Sequence, residues 1–378
     1  MGLAAFKIAV SFLVVVGLIQ LMNPIARRIG LVDRPGGHKK HDGHIPVTGG
    51  PAVAIGVLGP ALLLLPYTPY LASLAIALGI LLVVGVLDDI YDLNWRYRIV
   101  AQTVAALVLV YVGDVKVEQI GGVFGFERTD LGSLSMPFTV LATVGLINAL
   151  NMIDGIDGLA GSTTLCAVVM LLSAAIYSGN VPLVSELLFT AGAMTGFLVF
   201  NLRLPGWPKA RIFLGNSGSA IIGLIIAWAS FRLTQSPSHP VTPVLAPFLI
   251  APPVIDAIAL ALRRIASRRS PVAADRTHVH HILMDGGFRV SDVVLLVCAG
   301  SLSAGLLAAL ALRANVPEPL FVLAYLAMLA VYFALTRHPD RTSRRIRALR
   351  QSFNNRLSGK KTILVAIGED PGRQPEED

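Results

Sequence analysis

The chain has 378 residues and a formal net charge of +8; 54% of its residues are hydrophobic and 14% are charged. Its mean hydropathy is +0.69. Because soluble domains carry about 25% charged residues, this composition excludes one large water-soluble fold. Apolar runs of about 20 residues recur along the chain, which is typical of membrane-spanning helices. Cys166 and Cys298 lie inside such runs, so we expect neither a disulfide framework nor a thiolate metal site.

In chain order the sequence predicts eleven spanning segments, namely 3–22, 48–66, 70–87, 99–113, 137–150, 159–177, 184–201, 217–234, 243–262, 290–312 and 317–335. The first is predicted as a helix rather than a signal peptide because it lacks a small-x-small cleavage site and Asn23-Pro24 follows it. We therefore predict an all-α polytopic membrane protein, with a transmembrane domain at 1–335 and a tail at 336–378. The tail is predicted to be a mobile surface segment with a candidate short strand at Thr362–Ile367, and Asp114–Met136 to be a small outer hairpin.

The basic residues predict the orientation in the membrane. All but five of the 31 Lys and Arg residues lie in the loops after odd-numbered segments or in the tail. Because basic loops stay on the cytoplasmic side, the N-terminus is predicted outside and the C-terminus in the cytoplasm. A basic inner face typically contacts anionic lipid, and it would also attract a polyanionic substrate. The sequence contains no recognisable nucleic-acid-binding module.

Polar motifs occur in the five loops that this orientation places on the inner side. They are DRPGGHKKHDGHIPVTGG at Asp33–Gly50, GVLDDIYDLNWRYR at Gly85–Arg98, NALNMIDGIDGLAG at Asn148–Gly161, RIFLGNSGS at Arg211–Ser219 and SPVAADRTHVHHILMDGG at Ser270–Gly287. Ionisable residues near the ends of apolar helices are costly unless paired or solvated, so their recurrence at one membrane level predicts a functional site.

Adjacent acids at the end of the third segment indicate a bound cation. A single Asp at a helix end is usually only a solvated cap, but Asp88 and Asp89 would repel each other without a proton or cation between them. Acids accompanied by amide and hydroxyl oxygens suit Mg²⁺, or Mn²⁺ as the alternative, better than zinc.

The other motifs indicate anion binding. His278, His280 and His281 admit a zinc site, but no Cys accompanies them and Arg276 lies close in sequence, which favours phosphate binding. The glycines of LGNSGS precede a helix whose free N–H groups could hold an anion, although small residues also simply pack helices. The combination predicts phosphoryl transfer between a water-soluble donor and a lipid acceptor. A transporter without chemistry is the rival, and it fits less well because the acids lie at span ends rather than near the midplane.

At these loops the chain resembles the polyprenyl-phosphate N-acetylhexosamine-1-phosphate transferase family. The motifs are DD-x-x-D at Asp88–Asp92, N-x-x-N-x-x-DGIDGL at Asn148–Leu159, FLGNSGS at Phe213–Ser219 and DR-x-H-x-HH at Asp275–His281. The motifs DDIYDL and DRTHVHH are similar to those of the family branch that uses N-acetylglucosamine. That branch starts O-antigen, enterobacterial common antigen or teichoic-acid-linkage glycans. The alternative is the phospho-N-acetylmuramoyl-pentapeptide branch of peptidoglycan synthesis, in which a lysine typically stands at the position of Asp92.

The resemblance implies a Mg²⁺-dependent reaction between a UDP-N-acetylhexosamine and undecaprenyl phosphate, at the cytoplasmic face of a bacterial inner membrane; a homodimer is left open. It also implies roles for residues. Catalysis and contact with the lipid phosphate are expected of Asp88 and Asp89, and metal binding of Asn151 and Asn216. The nucleotide or sugar is expected to bind at Asp154, Asp157, His278, His280 and His281, and phosphate groups at Lys39, Arg98 and Arg276. Position 216 departs from the family pattern, in which an aspartate ligates the metal. An amide oxygen at Asn216 brings no charge, so the resemblance predicts weaker metal binding here unless another carboxylate contributes.

Overall fold

The computed structural model describes residues 2–33, 44–236, 241–267 and 278–357, and its regular structure is almost entirely helical. The helices are α1 (Gly2–Ile29), α2 (Gly49–Leu64), α3 (Pro69–Tyr91), α4 (Trp95–Gly113), α5 (Ser135–Ile153), α6 (Leu159–Tyr177), α7 (Val181–Asn201), α8 (Gly215–Thr234), α9 (Ala246–Leu249), α10 (Ala251–Ala266), α11 (Val279–Asp285), α12 (Val290–Arg313), α13 (Glu318–Thr336) and α14 (Pro339–Leu357). Short 3₁₀ turns at Gly132–Leu134 and Pro243–Leu245 precede α5 and α9. The only sheet in the described ranges pairs β1 (Val32–Asp33) with β2 (Ile45–Pro46).

Each of the eleven predicted segments coincides with helical structure, which confirms the all-α polytopic class. Among the described residues, nine helices are long and apolar enough to cross a membrane. The second segment is the shorter apolar helix α2, with 16 residues. Segment 243–262 differs from the prediction of one straight helix, because α9 and α10 meet at an angle of 84°. Pro252 and Pro253 follow this break in the first turn of α10, where a missing N–H is tolerated, whereas deeper inside one continuous helix each would remove a hydrogen bond.

Two loop predictions have different outcomes. The predicted hairpin is confirmed in outline, because Gln119 and Asp130 form an antiparallel bridge within Asp114–Met136, and its place on the outer side stays a prediction. The predicted mobile tail is wrong for 339–357, which form α14. Ile346 of that helix packs against Gly286, and the Arg347 guanidinium donates to the carbonyl of Asp285 at 2.5 Å. The candidate strand at Thr362–Ile367 lies outside the described residues.

Side-chain caps fix where several helices begin. The Thr68 hydroxyl accepts the N–H of Leu71 before α3, and the Asn94 side chain accepts the N–H of Arg96 before α4. The Asn180 side chain accepts the N–H of Leu183 before α7. Such caps satisfy backbone donors that have no partner inside the helix. Asp92, in the left-handed conformation with φ of 52°, ends α3 and turns the chain into α4.

Helix α8 is the centre of the bundle. In its apolar stretch 89% of the residues are buried, against 11% in that of α13. Its first turn is crossed closely by α3: a Cβ added at Gly85 would lie 2.4 Å from the Ser217 Cα atom. A Cβ at Gly50 of α2 would lie equally close to the backbone nitrogen of Gly218. This contact joins α2, α3 and α8 at one end of the bundle, where α5 and α7 also finish and α4 and α6 begin. We call it the polar end.

Candidate active site

Asp89 is held against the first turn of α8. One carboxylate oxygen accepts the N–H of Asn216 at 2.7 Å, and the other accepts the N–H and the hydroxyl of Ser217 at 3.1 and 2.7 Å. Gly215 lies directly against this carboxylate with φ of +77°, and a Cβ there would collide with it. The anion that the glycine-rich loop was predicted to bind is therefore supplied, in this structure, by Asp89 itself.

Asp88 points elsewhere. Its side chain has no solvent exposure; one oxygen accepts the N–H of Leu93 at 2.9 Å, and the other faces the Arg98 guanidinium at 3.4 Å. Asp88 and Arg98 line a cavity of about 30 Å³, together with the amides of Gln102, Asn148, Asn151 and Asn216. Arg98 is 36% exposed. The two adjacent acids thus have separate surroundings, one in a helix cap and one at a polar cavity.

The amides opposite Asp88 form two separate hydrogen-bonded groups. The Asn151 side chain donates to the Asn216 side-chain oxygen at 3.1 Å and to the Ser219 hydroxyl at 2.8 Å. The Asn148 side chain donates to Gln102 at 2.7 Å. Asn151 and Asn216, both predicted as metal ligands, are therefore in direct contact at the cavity wall.

Asp154 and Asp157 follow α5 in the DGIDG loop. Asp157 accepts the Arg203 guanidinium at 2.7 Å and the N–H of Ala210 at 3.2 Å, so it secures the segment that leads to α8. Burial, together with the negative charges of Asp89 and Asp157, raises the pKa of Asp154 to about 7. A cation bound beside this carboxyl group would favour its charged form, and the proton would be displaced into water. We call Asp88, Asp89, Asp154, Asn151 and Asn216 the aspartate cluster.

The oxygen donors of the aspartate cluster suit a hard divalent cation. Among the described residues no group of three His, Cys, Asp or Glu side chains is arranged to hold a metal ion. Two amides, however, stand beside the carboxylates, and Mg²⁺ is usually held by only one or two carboxylates and completes its coordination with water and phosphate oxygens. The raised pKa of Asp154 and the Asn151–Asn216 contact therefore fit Mg²⁺, with fewer charges than an aspartate at position 216 would bring.

His278 contacts a carboxylate outside the aspartate cluster, that of Asp256 in α10, which is 1% exposed. It lies 2.7 Å from His278 Nδ1 and also accepts the Tyr332 hydroxyl and, at 3.3 Å, the N–H of Val279. Because a carboxylate only accepts, Nδ1 of His278 carries a proton. Asp256 thereby joins α10, α11 and α13 and fixes the His278 ring. We call Asp256, His278, His280, His281 and Tyr332 the histidine cluster.

His280 connects the two clusters. Its ring is 1% exposed, stacks on His278 at 5.4 Å between centroids, and lies against Gly155, next to Asp154. Burial, with the charges of His281 and His278, lowers the pKa of His280 to about 3. A neutral imidazole thus stands behind the DGIDG loop. Lys39 and Arg276, predicted to bind phosphate, lie outside the described residues.

Sequence reasoning missed several residues that hold the site. The Asn201 side chain accepts the N–H of Gly158 and donates to the carbonyl of Ile212, both at 2.9 Å, so it joins the DGIDG loop to the approach of α8. Asp256 and Tyr332 were missed because they lie inside apolar runs. An acid in the middle of a predicted span is itself a signal, and Asp256 could have been found by it.

Comparison with known proteins shows which protein family this chain matches. The family model described as glycosyl transferase family 4 matches residues 71–234, which include α3 to α8 and the whole aspartate cluster. Similar proteins named undecaprenyl-phosphate alpha-N-acetylglucosaminyl 1-phosphate transferase occur in Salmonella typhimurium (31% identity over 91% of this chain and 96% of the relative), Yersinia pestis (32%, 83% and 87%) and Haemophilus influenzae (33%, 77% and 82%).

The helical bundle, the site at its polar end and the family match define a polytopic membrane glycosyl transferase. More narrowly, the chain belongs to the polyprenyl-phosphate N-acetylhexosamine-1-phosphate transferase family, as its loop motifs predicted.

Proposed function

We propose that this protein transfers N-acetylglucosamine-1-phosphate from UDP-N-acetylglucosamine to undecaprenyl phosphate and releases UMP. A lipid phosphate oxygen attacks the sugar-bearing phosphorus of the donor, a new P–O–P linkage forms, and the bond to UMP breaks. The product starts a lipid-linked surface glycan. The names of the relatives support both the acceptor and the sugar.

One observation carries the proposal: a buried carboxylate, Asp88, and a partly exposed guanidinium, Arg98, share a polar cavity at the ends of membrane-spanning helices. The phosphate of a membrane lipid lies at this depth while its chain stays among the helices. Arg98 provides fixed positive charge for a phosphate, and Asp88 provides an acceptor for its proton. An ion pathway would instead need such groups near the middle of the spans.

The chemistry demands charge control more than strong base catalysis. A phosphate monoester has its second pKa near 6, so the acceptor is mostly a dianion near pH 7. The main barrier is the approach of one anion to another, which is lowered by positioning and by fixed positive charge. In our proposal Arg98 holds the lipid phosphate, and Asp88 orients it and takes any remaining proton. Asp89 contributes by fixing α8, and with it Asn216, relative to α3.

We propose that Mg²⁺ binds at Asn151 and Asn216 with Asp154 alongside; when bound, the ion supplies charge neutralisation for the donor diphosphate. Asp157 keeps the neighbouring loop in place through Arg203, and the histidine cluster closes the site from α11 for the nucleotide or sugar. The distribution of basic residues supports an arrangement in which the polar end faces the cytoplasm of a bacterial inner membrane, where UDP-sugars are found.

Two other functions remain as alternatives to be tested. The pentapeptide-transferring branch would use a much larger sugar donor, and a transporter would move a lipid or ion without chemistry. Incubating the purified protein with UDP-N-acetylglucosamine, undecaprenyl phosphate and Mg²⁺ separates them. Our proposal expects UMP and a lipid-linked sugar in equal amounts. Flux without UMP would establish a transporter, and turnover only with the muramoyl-pentapeptide donor would establish the peptidoglycan branch.

The direct attack is tested by isotope exchange. An enzyme that first formed a covalent phospho-sugar on an aspartate would exchange labelled UMP into UDP-N-acetylglucosamine without any lipid. Direct transfer predicts no exchange until undecaprenyl phosphate is added. Exchange in the absence of lipid would replace the direct mechanism with a two-step one.

A further inference from the structure

Helix α14 is a basic amphipathic helix that the transferase site does not use. Leu349 and Phe353 are 72% and 63% exposed, and they lie one turn apart on the same side of the helix. The remaining surface carries positive charge from Arg341, Arg344, Arg345, Arg347 and Arg350. An exposed apolar strip bordered by arginines is typical of helices that lie in the surface of an anionic membrane.

The position of α14 agrees with that reading. It begins at Pro339, three residues after α13 ends at Thr336, and α13 is the least buried of the nine candidate spans. Because α13 is a span with few buried residues, it faces lipid on most sides, and its end brings the start of α14 to the surface of the bilayer. So short a connection leaves α14 no means of lying far from that surface.

Helix α14 is also tied to the segment that bears the histidines. Ile346 packs on Gly286, the Arg350 guanidinium lies 5.0 Å from the centroid of the Phe288 ring, and Arg347 donates to the Asp285 carbonyl. All three contacts are made with the end of α11 or the turn that follows it. One side of α14 therefore holds α11, while Leu349 and Phe353 remain uncovered.

We propose that α14 lies in the membrane surface with Leu349 and Phe353 inserted among the acyl chains, and that its flanking arginines bind acidic phospholipid headgroups. Charge complementarity and continuity with α13 identify the occupant of the apolar strip as an anionic lipid surface. This inference does not rest on the proposed transferase function, because it concerns only how α14 meets the bilayer.

Insertion is tested by fluorescence quenching on the full chain in lipid nanodiscs. Phe353→Trp places an indole on the apolar strip, and Gln351→Trp places one roughly 160° around the helix; the parent chain, with its three native tryptophans, provides the background. Brominated acyl chains are expected to quench the indole introduced at 353 and to leave the one at 351 bright. Equal quenching at both positions would overturn the proposal. Absence of quenching at 353 would also overturn it, and would indicate that something other than lipid, such as a second copy of the chain, covers the strip.

Acidic selectivity is tested in nanodiscs that contain a minority of phosphatidylglycerol in phosphatidylcholine. Bromine is carried by the acidic lipid in one sample and, at the same mole fraction, by the neutral lipid in the other. Stronger quenching by the acidic lipid is expected for Phe353→Trp. Adding Arg345→Gln, which borders the strip, should weaken that preference by roughly fivefold, and its neighbour Arg344→Gln, on the opposite face, should change it much less. Equal quenching by the two lipids, or equal effects of the two arginine variants, would contradict acidic-lipid binding.

Both readouts are independent of turnover. A chain that proved not to be a transferase would still give the expected quenching if α14 lies in the membrane, so failure of one proposal is distinguishable from failure of the other.

Discussion

The aspartate cluster and the histidine cluster satisfy buried charge in opposite ways. In the histidine cluster one carboxylate, Asp256, accepts three donors, from His278, Val279 and Tyr332. In the aspartate cluster several carboxylates stand together, and burial, with the negative charges of Asp89 and Asp157, raises the pKa of Asp154 to about 7. Asp256 is fully partnered, whereas both ring nitrogens of the neighbouring His280 are buried without a hydrogen-bond partner among the described residues. In our proposal the contacts of Asp256 hold a fixed geometry, and the aspartate cluster binds the cation and performs the chemistry.

The largest expected effect separates Asp88 from every other acid. Asp88→Asn keeps an acceptor for the Leu93 N–H but removes the charge that faces Arg98, and we expect turnover to fall by about 10²–10⁴-fold, because the group that orients the lipid phosphate and takes its remaining proton is lost. Binding of the UDP-sugar should persist. The measurements are UMP release and calorimetric titration of the donor.

Asp89→Asn is the matched control for that variant. Because Asp89 caps α8, we expect mainly a loss of about 1 kcal/mol in the free energy of unfolding, the usual cost of a lost cap. Turnover near that of the parent in Asp88→Asn, or equal losses in both variants, would remove the distinction between the two acids.

The next effect concerns the orientation of His278. Asp256→Asn should lower kcat/KM by roughly 10- to 100-fold, because a hydrogen bond to a charged group is lost and the ring is no longer fixed. Kinetics with varied UDP-sugar measure it. Tyr332→Phe removes another donor from the same carboxylate but leaves its contact with His278, so its effect should be small, and Asp256→Glu should restore part of the rate. If Tyr332→Phe were as damaging as Asp256→Asn, Asp256 would only stabilise the fold.

A smaller effect is expected at position 216. Asn216→Asp adds a carboxylate beside Asn151, and the Mg²⁺ concentration for half-maximal turnover should fall roughly tenfold, because site charge sets the affinity for hard cations. Asn216→Ala removes the oxygen and should raise that concentration. A metal titration that is identical in the parent and both variants would exclude position 216 from the metal site.

The last prediction concerns stability as a function of pH rather than turnover. Asp154 has a pKa of about 7 in the folded protein and an ordinary value of 3.8, so between these values the folded state binds more protons than the unfolded state. Its contribution to the free energy of unfolding therefore falls as pH rises from about 4 to 7. In chelator we expect Tm to decrease over this window, and Mg²⁺ should raise Tm more at pH 8 than at pH 5. Asp154→Asn should flatten the dependence, and an unchanged slope in that variant would assign it to another group.

The sequence allowed the spans to be predicted, and its loop motifs indicated candidate site residues that the fold brings together, because hydropathy and motifs are local signals. Contacts between distant segments could not be predicted in the same way. Asp89 and its partner Asn216 are 127 positions apart, and nothing near either of them reveals that the carboxylate caps α8. The 84° break before α10 is not visible in hydropathy, and Asp256 and its partner His278 belong to different elements, 22 positions apart. The helix α14 was missed because its many arginines resemble a solvated tail.

Helix α8 carries a consequence for engineering. Its first turn donates hydrogen bonds to the Asp89 carboxylate, and in its last turn the Arg232 guanidinium pairs with the buried Glu186 of α7. Besides these charge contacts at both ends, most α8 residues are buried, and Gly223 lies directly against Ile147 of α5, so few positions of α8 are open to substitution. Helix α13, by contrast, presents nearly its whole surface outward. Labels and stabilising substitutions should therefore be placed on the outward-facing side of α13, away from Tyr332, and not in α8.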